Sequence, residues 1–131
     1  MGHSADIVRE ACQVIWTDGD TSRVSEFYSE DFQADYPMTD WGEGLPGVEA
    51  LAKQVRIDLP GYGEIIEELI EADDEVVVRL TIYGTNRSTG EEVRFRDVSI
   101  LTVRDGKITR QRGLTDYLSL YLQLGVVTMP S

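Results

Sequence analysis

The sequence predicts an α+β domain in which a curved antiparallel sheet wraps around N-terminal helices, cone-shaped with an internal pocket. Three observations carry this expectation. Apolar residues recur at helical spacing up to Pro60, they alternate with polar residues beyond it, and tight-turn dipeptides punctuate that second half. Helices followed by a run of strands place the helices together on one face of a sheet, not between parallel strands.

The first helix runs from Ser4, a suitable N-cap, to Trp16, with Ile7, Val8, Ala11, Cys12, Val14 and Ile15 as a broad apolar stripe. Asp18-Gly19-Asp20 ends it. A short second helix fits Thr21 to Tyr28, with Val24, Phe27 and Tyr28 inward. Residues 31 to 37 alternate as a strand that carries Phe32, Ala34 and Tyr36 on one face and Gln33 and Asp35 on the other, and Pro37 closes it. Met38 to Gly47 is a glycine-rich loop that holds Trp41, placed to cover a pocket. Pro46 suits the first turn of a third helix with the stripe Val48, Leu51, Ala52 and Val55.

Strands are expected near residues 63–72, 75–85, 91–104 and 107–115, joined by Asp73-Asp74, Ser88-Thr89-Gly90 and Asp105-Gly106. The last dipeptide is a strong hairpin signal, since both central residues of that turn take positive φ. In the long strand the apolar phase changes: Val93 and Phe95 are odd, Val98 and Ile100 even, Leu101 and Val103 odd again. That predicts a bulge within it. A helix from about Tyr117 to Leu124 completes residues 1–131 as a single domain.

Composition excludes several function classes. With 12 basic and 24 acidic residues the net charge is -12, which repels phosphate backbones and anionic membrane surfaces. No apolar run approaches the roughly 20 residues of a membrane span, and Met1-Gly2-His3-Ser4 shows no leader core, so a cytoplasmic location is expected. One cysteine, Cys12, and one histidine, His3, leave no His/Cys metal cluster, and no cofactor is expected.

The chemistry is expected near the end of the sheet. Alternation places Ile108, Arg110, Arg112, Leu114 and Asp116 on one face, and Asp116 ends its strand where a curved sheet opens. In an apolar pocket its carboxyl pKa rises, which suits proton removal beside a carbonyl, while Arg79 nearby would lower it. Asp before a helical run is also a good N-cap, and both roles stand open. Arg79 and Arg112 each face either the pocket or solvent. Trp16, Tyr36, Trp41, Tyr83 and Phe95, with Thr81, are candidates to line a site for a flat, largely apolar, oxygenated ligand. Asp35 is expected to point outward.

The order of elements, together with Tyr28-Ser29-Glu30-Asp31-Phe32, Gly47-Val48-Glu49-Ala50-Leu51, Val76-Val77-Val78-Arg79-Leu80-Thr81 with Gly84-Thr85, Asp105-Gly106-Lys107-Ile108, and Asp116 followed by Gln123-Leu124-Gly125, resembles the SnoaL-like polyketide cyclases of the nuclear transport factor 2-like superfamily. The resemblance implies Asp116 as general acid/base. Related limonene-type epoxide hydrolases pair that aspartate with an arginine, here Arg79, and carry a second carboxylate where this chain has Thr81. Tyr36 and Asn86 stand where many members have histidine.

The resemblance implies cofactor-free aldol cyclisation or a related isomerisation of a polyketide-like or terpenoid-like carbonyl compound, with Arg79 or Tyr83 stabilising negative charge. The alternatives are an epoxide hydrolase or epoxide-opening cyclase, and a non-catalytic small-molecule-binding domain. Apolar residues on both faces of strands 75–85 and 91–104 predict a homodimer through the outer sheet face.

Overall fold

The computed structural model describes residues 3–130. α1 (His3–Ala11) continues into a wider π-helical segment, Cys12–Thr17, and a 3₁₀ turn, Thr21–Arg23, leads into α2 (Val24–Phe27). β1 (Tyr28–Asp35), α3 (Gly44–Asp58), β2 (Gly63–Ala72), β3 (Glu75–Thr85), β4 (Glu92–Arg104), β5 (Lys107–Thr115) and α4 (Tyr117–Leu124) follow. The five strands form one curved, unclosed sheet in the order β1-β5-β4-β3-β2. Its inner face carries the helices. Among the described residues no helix is long and apolar enough to cross a membrane.

Three details of the sheet differ from the sequence-based expectation. β1 begins at Tyr28, earlier than expected, and pairs parallel with β5, so the sheet is antiparallel except at this edge. β4 contains no internal bulge against β3, with which it pairs continuously from Glu75↔Thr102 to Thr85↔Glu92. The register shift lies instead between β4 and β5, where Thr102 faces Arg110 but Val103 faces Ile108, leaving Thr109 as an extra residue. A one-residue shift sends every later side chain to the opposite face. Hence Ile108 points inward, and Gln111, Gly113 and Thr115 follow it instead of Arg110, Arg112 and Leu114. The Asp105-Gly106 turn has φ of 51° and 76°, as expected of its hairpin.

The helices are fixed to the sheet by a few specific contacts. Arg56 of α3 donates to the carbonyls of Trp16 (2.6 Å) and Thr17 (2.5 Å), which satisfies the open end of the first helix and places a cation at its negative pole. Trp16 donates its indole N–H to the buried Tyr28 hydroxyl at 2.8 Å. The π turn sets Cys12 and Trp16, together with Val8, on the sheet side of the helix.

Candidate functional site

Between the inner sheet face and the helices lies a cavity of about 370 Å³, within the range of small-molecule sites. Val78, Leu80 and Ile82 of β3 and Phe95 and Leu101 of β4 form an apolar floor, while Val8, Ala11 and Leu51 close it from above. The lining residues that reach solvent include Asp58 at the end of α3 and Tyr117, Tyr121 and Leu124 of α4, which sets the mouth between these helices. Thr39 and the Tyr117 hydroxyl bond across it. Trp41 lines the wall, stacked on Tyr36 with centroids 5.1 Å apart and edge-on to Trp16 at 5.4 Å. This leaves a flat, aromatic slot.

One end of the slot is polar. Asp97, 5% exposed, accepts hydrogen bonds from Ser99 at 2.6 Å and from Thr115 at 2.5 Å. Ser99 in turn meets the Tyr36 hydroxyl at 2.6 Å, and Tyr36 accepts from the Gln111 amide at 2.8 Å. Each hydroxyl has one proton, so with Asp97 ionised Ser99 spends its proton on Asp97 and Tyr36 spends its own on Ser99. The chain is therefore directional, Gln111 to Tyr36 to Ser99 to Asp97. Gln111 Oε1 is buried and has no protein partner, which leaves an acceptor available at this end. Gly113 is required here. A Cβ at this position would lie 2.6 Å from the Val98 carbonyl and 2.7 Å from the Tyr36 ring.

Burial raises the Asp97 carboxyl above its ordinary range, and the hydrogen bonds from Ser99 and Thr115 hold back the rise. The Tyr36 hydroxyl is also pushed up, first by burial and then by the charge of Asp97. Among the described residues the cavity lining contains Asp58, Glu64 and Asp97 but no Lys, Arg or His. An anionic ligand finds no counter-charge in it. The lining suits a neutral ligand with a flat body for the slot and a hydrogen-bond donor for Gln111 Oε1.

The structure separates the sequence-predicted residues into two groups. Trp16, Tyr36, Trp41 and Phe95 line the cavity. Asp116 does not. Its carboxylate is exposed and caps α4 by accepting the Ser119 N–H at 3.0 Å, because the extra residue at Thr109 turns it outward with Arg112 and Leu114. Arg79 lies on the outer face and pairs with Glu68 at 2.7 Å, far from any partnership with Asp116. Thr81 shares that face, as does Tyr83, which covers Gly63 and lies beneath the Arg94 guanidinium at 5.9 Å. Arg112 meets Glu75 at 3.5 Å on the outer side. Asp35 is exposed, as expected.

Sequence reasoning missed Asp97, Ser99, Gln111, Thr115 and Glu64. The signal for the first two was present. Val93, Phe95, Leu101 and Val103 fix the odd positions of β4 as inward, and an unbroken strand carries Asp97 and Ser99 inward with them. The apparent phase change came from apolar Val98 and Ile100 on the outer face.

The chain matches the family of SnoaL-like polyketide cyclases over residues 6–124. A protein from Bacillus cereus described as a polyketide cyclase is 30% identical, with 87% of this chain and 75% of that chain aligned and a TM-score of 0.79. One from Acidithiobacillus ferrooxidans, also described as a polyketide cyclase, is 18% identical over 96% of both chains, with a TM-score of 0.87. AclR from Streptomyces galilaeus, described as a hydroxylase, is 18% identical over 100% of this chain and 90% of that one, with a TM-score of 0.85. Among functionally curated proteins none matches.

Proposed function

The chain belongs to the SnoaL-like polyketide cyclase family, and on that premise we propose that it moves a proton within a small, flat, neutral carbonyl compound, closing a ring by intramolecular aldol addition or shifting a double bond. Asp97, not Asp116, is the base. One observation carries this reading: a buried carboxylate, held by two hydroxyls and facing no cation, stands at the polar end of an apolar slot. Such a group is desolvated enough to accept a proton from carbon and oriented well enough to do so repeatedly. Gln111 Oε1 accepts from a hydroxyl of the compound, the Tyr36 ring bounds the slot beside its flat body, and these side chains supply the acid/base chemistry without a cofactor. The cavity has no arginine to support a carboxylate pair on an epoxide, which disfavours the hydrolase reading.

The test is wash-in of deuterium from D₂O beside the carbonyl of 2-tetralone, a flat neutral ketone, followed by NMR. Asp97→Asn is expected to lower the rate about 10²–10⁴-fold, as loss of a general base does, while Asp116→Asn, which still caps α4, keeps it within a few-fold. Equal rates for Asp97→Asn and wild type refute the assignment. Binding of 2-tetralone without any enzyme-dependent exchange makes the chain a binding domain.

A further inference from the structure

We propose that Glu64 is a second reacting group of this cavity, a general acid across β3 from Asp97 on the inner sheet face that protonates the carbonyl oxygen of the bound compound and regains its proton through a groove beside the cavity. This rests on the acid/base reading above. Glu64 stands at the start of β2 beside Ile82, which in turn pairs with Phe95, so one strand, β3, separates it from the β4 position of Asp97 on the same inner face. Its place is fixed twice. The backbone N–H donates to Thr17 Oγ1 at 3.1 Å, and Oε2 accepts the Tyr62 hydroxyl at 2.8 Å.

Two features distinguish Glu64 from a merely satisfied wall residue. It lines the main cavity and also a separate outer groove with Arg9, Gln13, Glu67 and Glu68, and among the described residues only Cys12 shares that double position. One carboxyl thus separates the ligand space from a path to solvent. The groups that face it are the Cys12 thiol from the first helix, Tyr62 before β2 and Asp97 from β4, with Tyr28 and Tyr36 beyond and Arg9, Glu67 and Glu68 in the groove. Within the cavity none of these is a cation. Desolvation drives its pKa up, the Tyr62 hydroxyl opposes the rise, the charge of Asp97 adds to it, and the result is about 8. At neutral pH Glu64 is therefore a hydrogen-bond donor.

The proton balance closes. Asp97 takes a proton from the carbon beside one carbonyl, the released electron pair forms the new bond to the second carbonyl carbon, and the π pair of that carbonyl moves to its oxygen, which receives the Glu64 proton. Asp97 then carries one proton too many and Glu64 one too few. Water in the groove refills Glu64, and Asp97 releases its proton when product leaves through the mouth. In simple enolisation the oxygen of the same carbonyl receives the Glu64 proton.

Infrared spectroscopy reads the acid without any substrate. Wild type is expected to show the carbonyl band of a protonated carboxyl group at pH 7 that fades as pH rises through about 8, present in Asp97→Asn and absent in Glu64→Gln. In 2-tetralone exchange, wild type should lose rate above that pH. Glu64→Gln, folded by circular dichroism, should be about 10²-fold slower with no alkaline limb. In D₂O the band should shift to its deuterated position equally fast with 2-tetralone bound, since the groove stays open. A band that survives in Glu64→Gln, or an unchanged alkaline limb, overturns the proposal. Slowing of the band shift by bound 2-tetralone removes the groove from it. An inactive Asp97→Asn beside a fully active Glu64→Gln refutes the Glu64 role and leaves Asp97 as base, whereas full activity of both refutes the reading beneath it.

Discussion

Replacing Glu64 by Gln should stabilise the protein increasingly as pH rises, and the size of the effect follows from the site. The carboxyl is raised from 4.5 to about 8 in the folded state. Between those values the folded protein holds a proton that the unfolded chain has released, so raising the pH favours unfolding. The wild type loses stability progressively over this window, and the loss is complete above pH 8. At about 1.4 kcal/mol per unit the shift bounds the effect near 5 kcal/mol. Gln is isosteric with the protonated acid and keeps the acceptor for Tyr62, so any constant offset from the substitution cancels when pH is varied. Urea unfolding of both proteins followed by far-ultraviolet circular dichroism at pH 4, 6, 7, 8 and 9 measures the difference directly. It should be smallest at pH 4, grow through the window and level off above pH 8. A difference that is flat, or that shrinks with rising pH, refutes a protonated Glu64.

Two further outcomes are expected. With Trp16→Phe, Trp41 is the sole indole, and its stacking on Tyr36 at the slot means that saturation with 2-tetralone should shift or quench its emission; an unchanged spectrum at saturation removes Trp41 from the binding wall. The outer sheet face carries Val98 at 43% and Leu114 at 66% exposure in adjacent strands, and we propose that a second copy covers it; light scattering at micromolar concentration should report a dimer that Leu114→Glu dissociates, and a wild-type monomer refutes this.

The legibility of the sequence divides along the same physical line. Elements were readable because burial imposes its period on the chain. The four long strands lie within a residue of their expected ranges, α4 coincides with its prediction, and Asp105-Gly106 turns as its chemistry dictates. The parallel β1–β5 pairing was not readable, since nothing local in Tyr28–Asp35 encodes the direction of a partner some eighty residues away. The inner face of β5 was hidden for a sharper reason. Alternation was extended from Ile108 to Asp116 without a break, and a single extra residue at Thr109, held by no glycine or proline signal, reversed the result.

The same sequence property explains both the misplaced bulge and the missed base. A hydrophobic pattern reports burial faithfully only where the inside is apolar and the outside polar. At the site both conditions are reversed: Asp97 and Ser99 are buried polar residues on the inner face, and Val98 and Ile100 are apolar residues on the outer one. Periodicity read through that segment therefore shows a phase change where the backbone has none. An inward Asp costs free energy in desolvation, which Ser99 and Thr115 only partly offset, so its presence in an otherwise apolar register is itself the indication of function. In β2 likewise, Glu64 and Ile66 keep inward parity up to the bulge at Glu67. Two acids at apolar-register positions, on strands whose inner neighbours are Val, Leu, Ile and Phe, are the two groups proposed to move the proton.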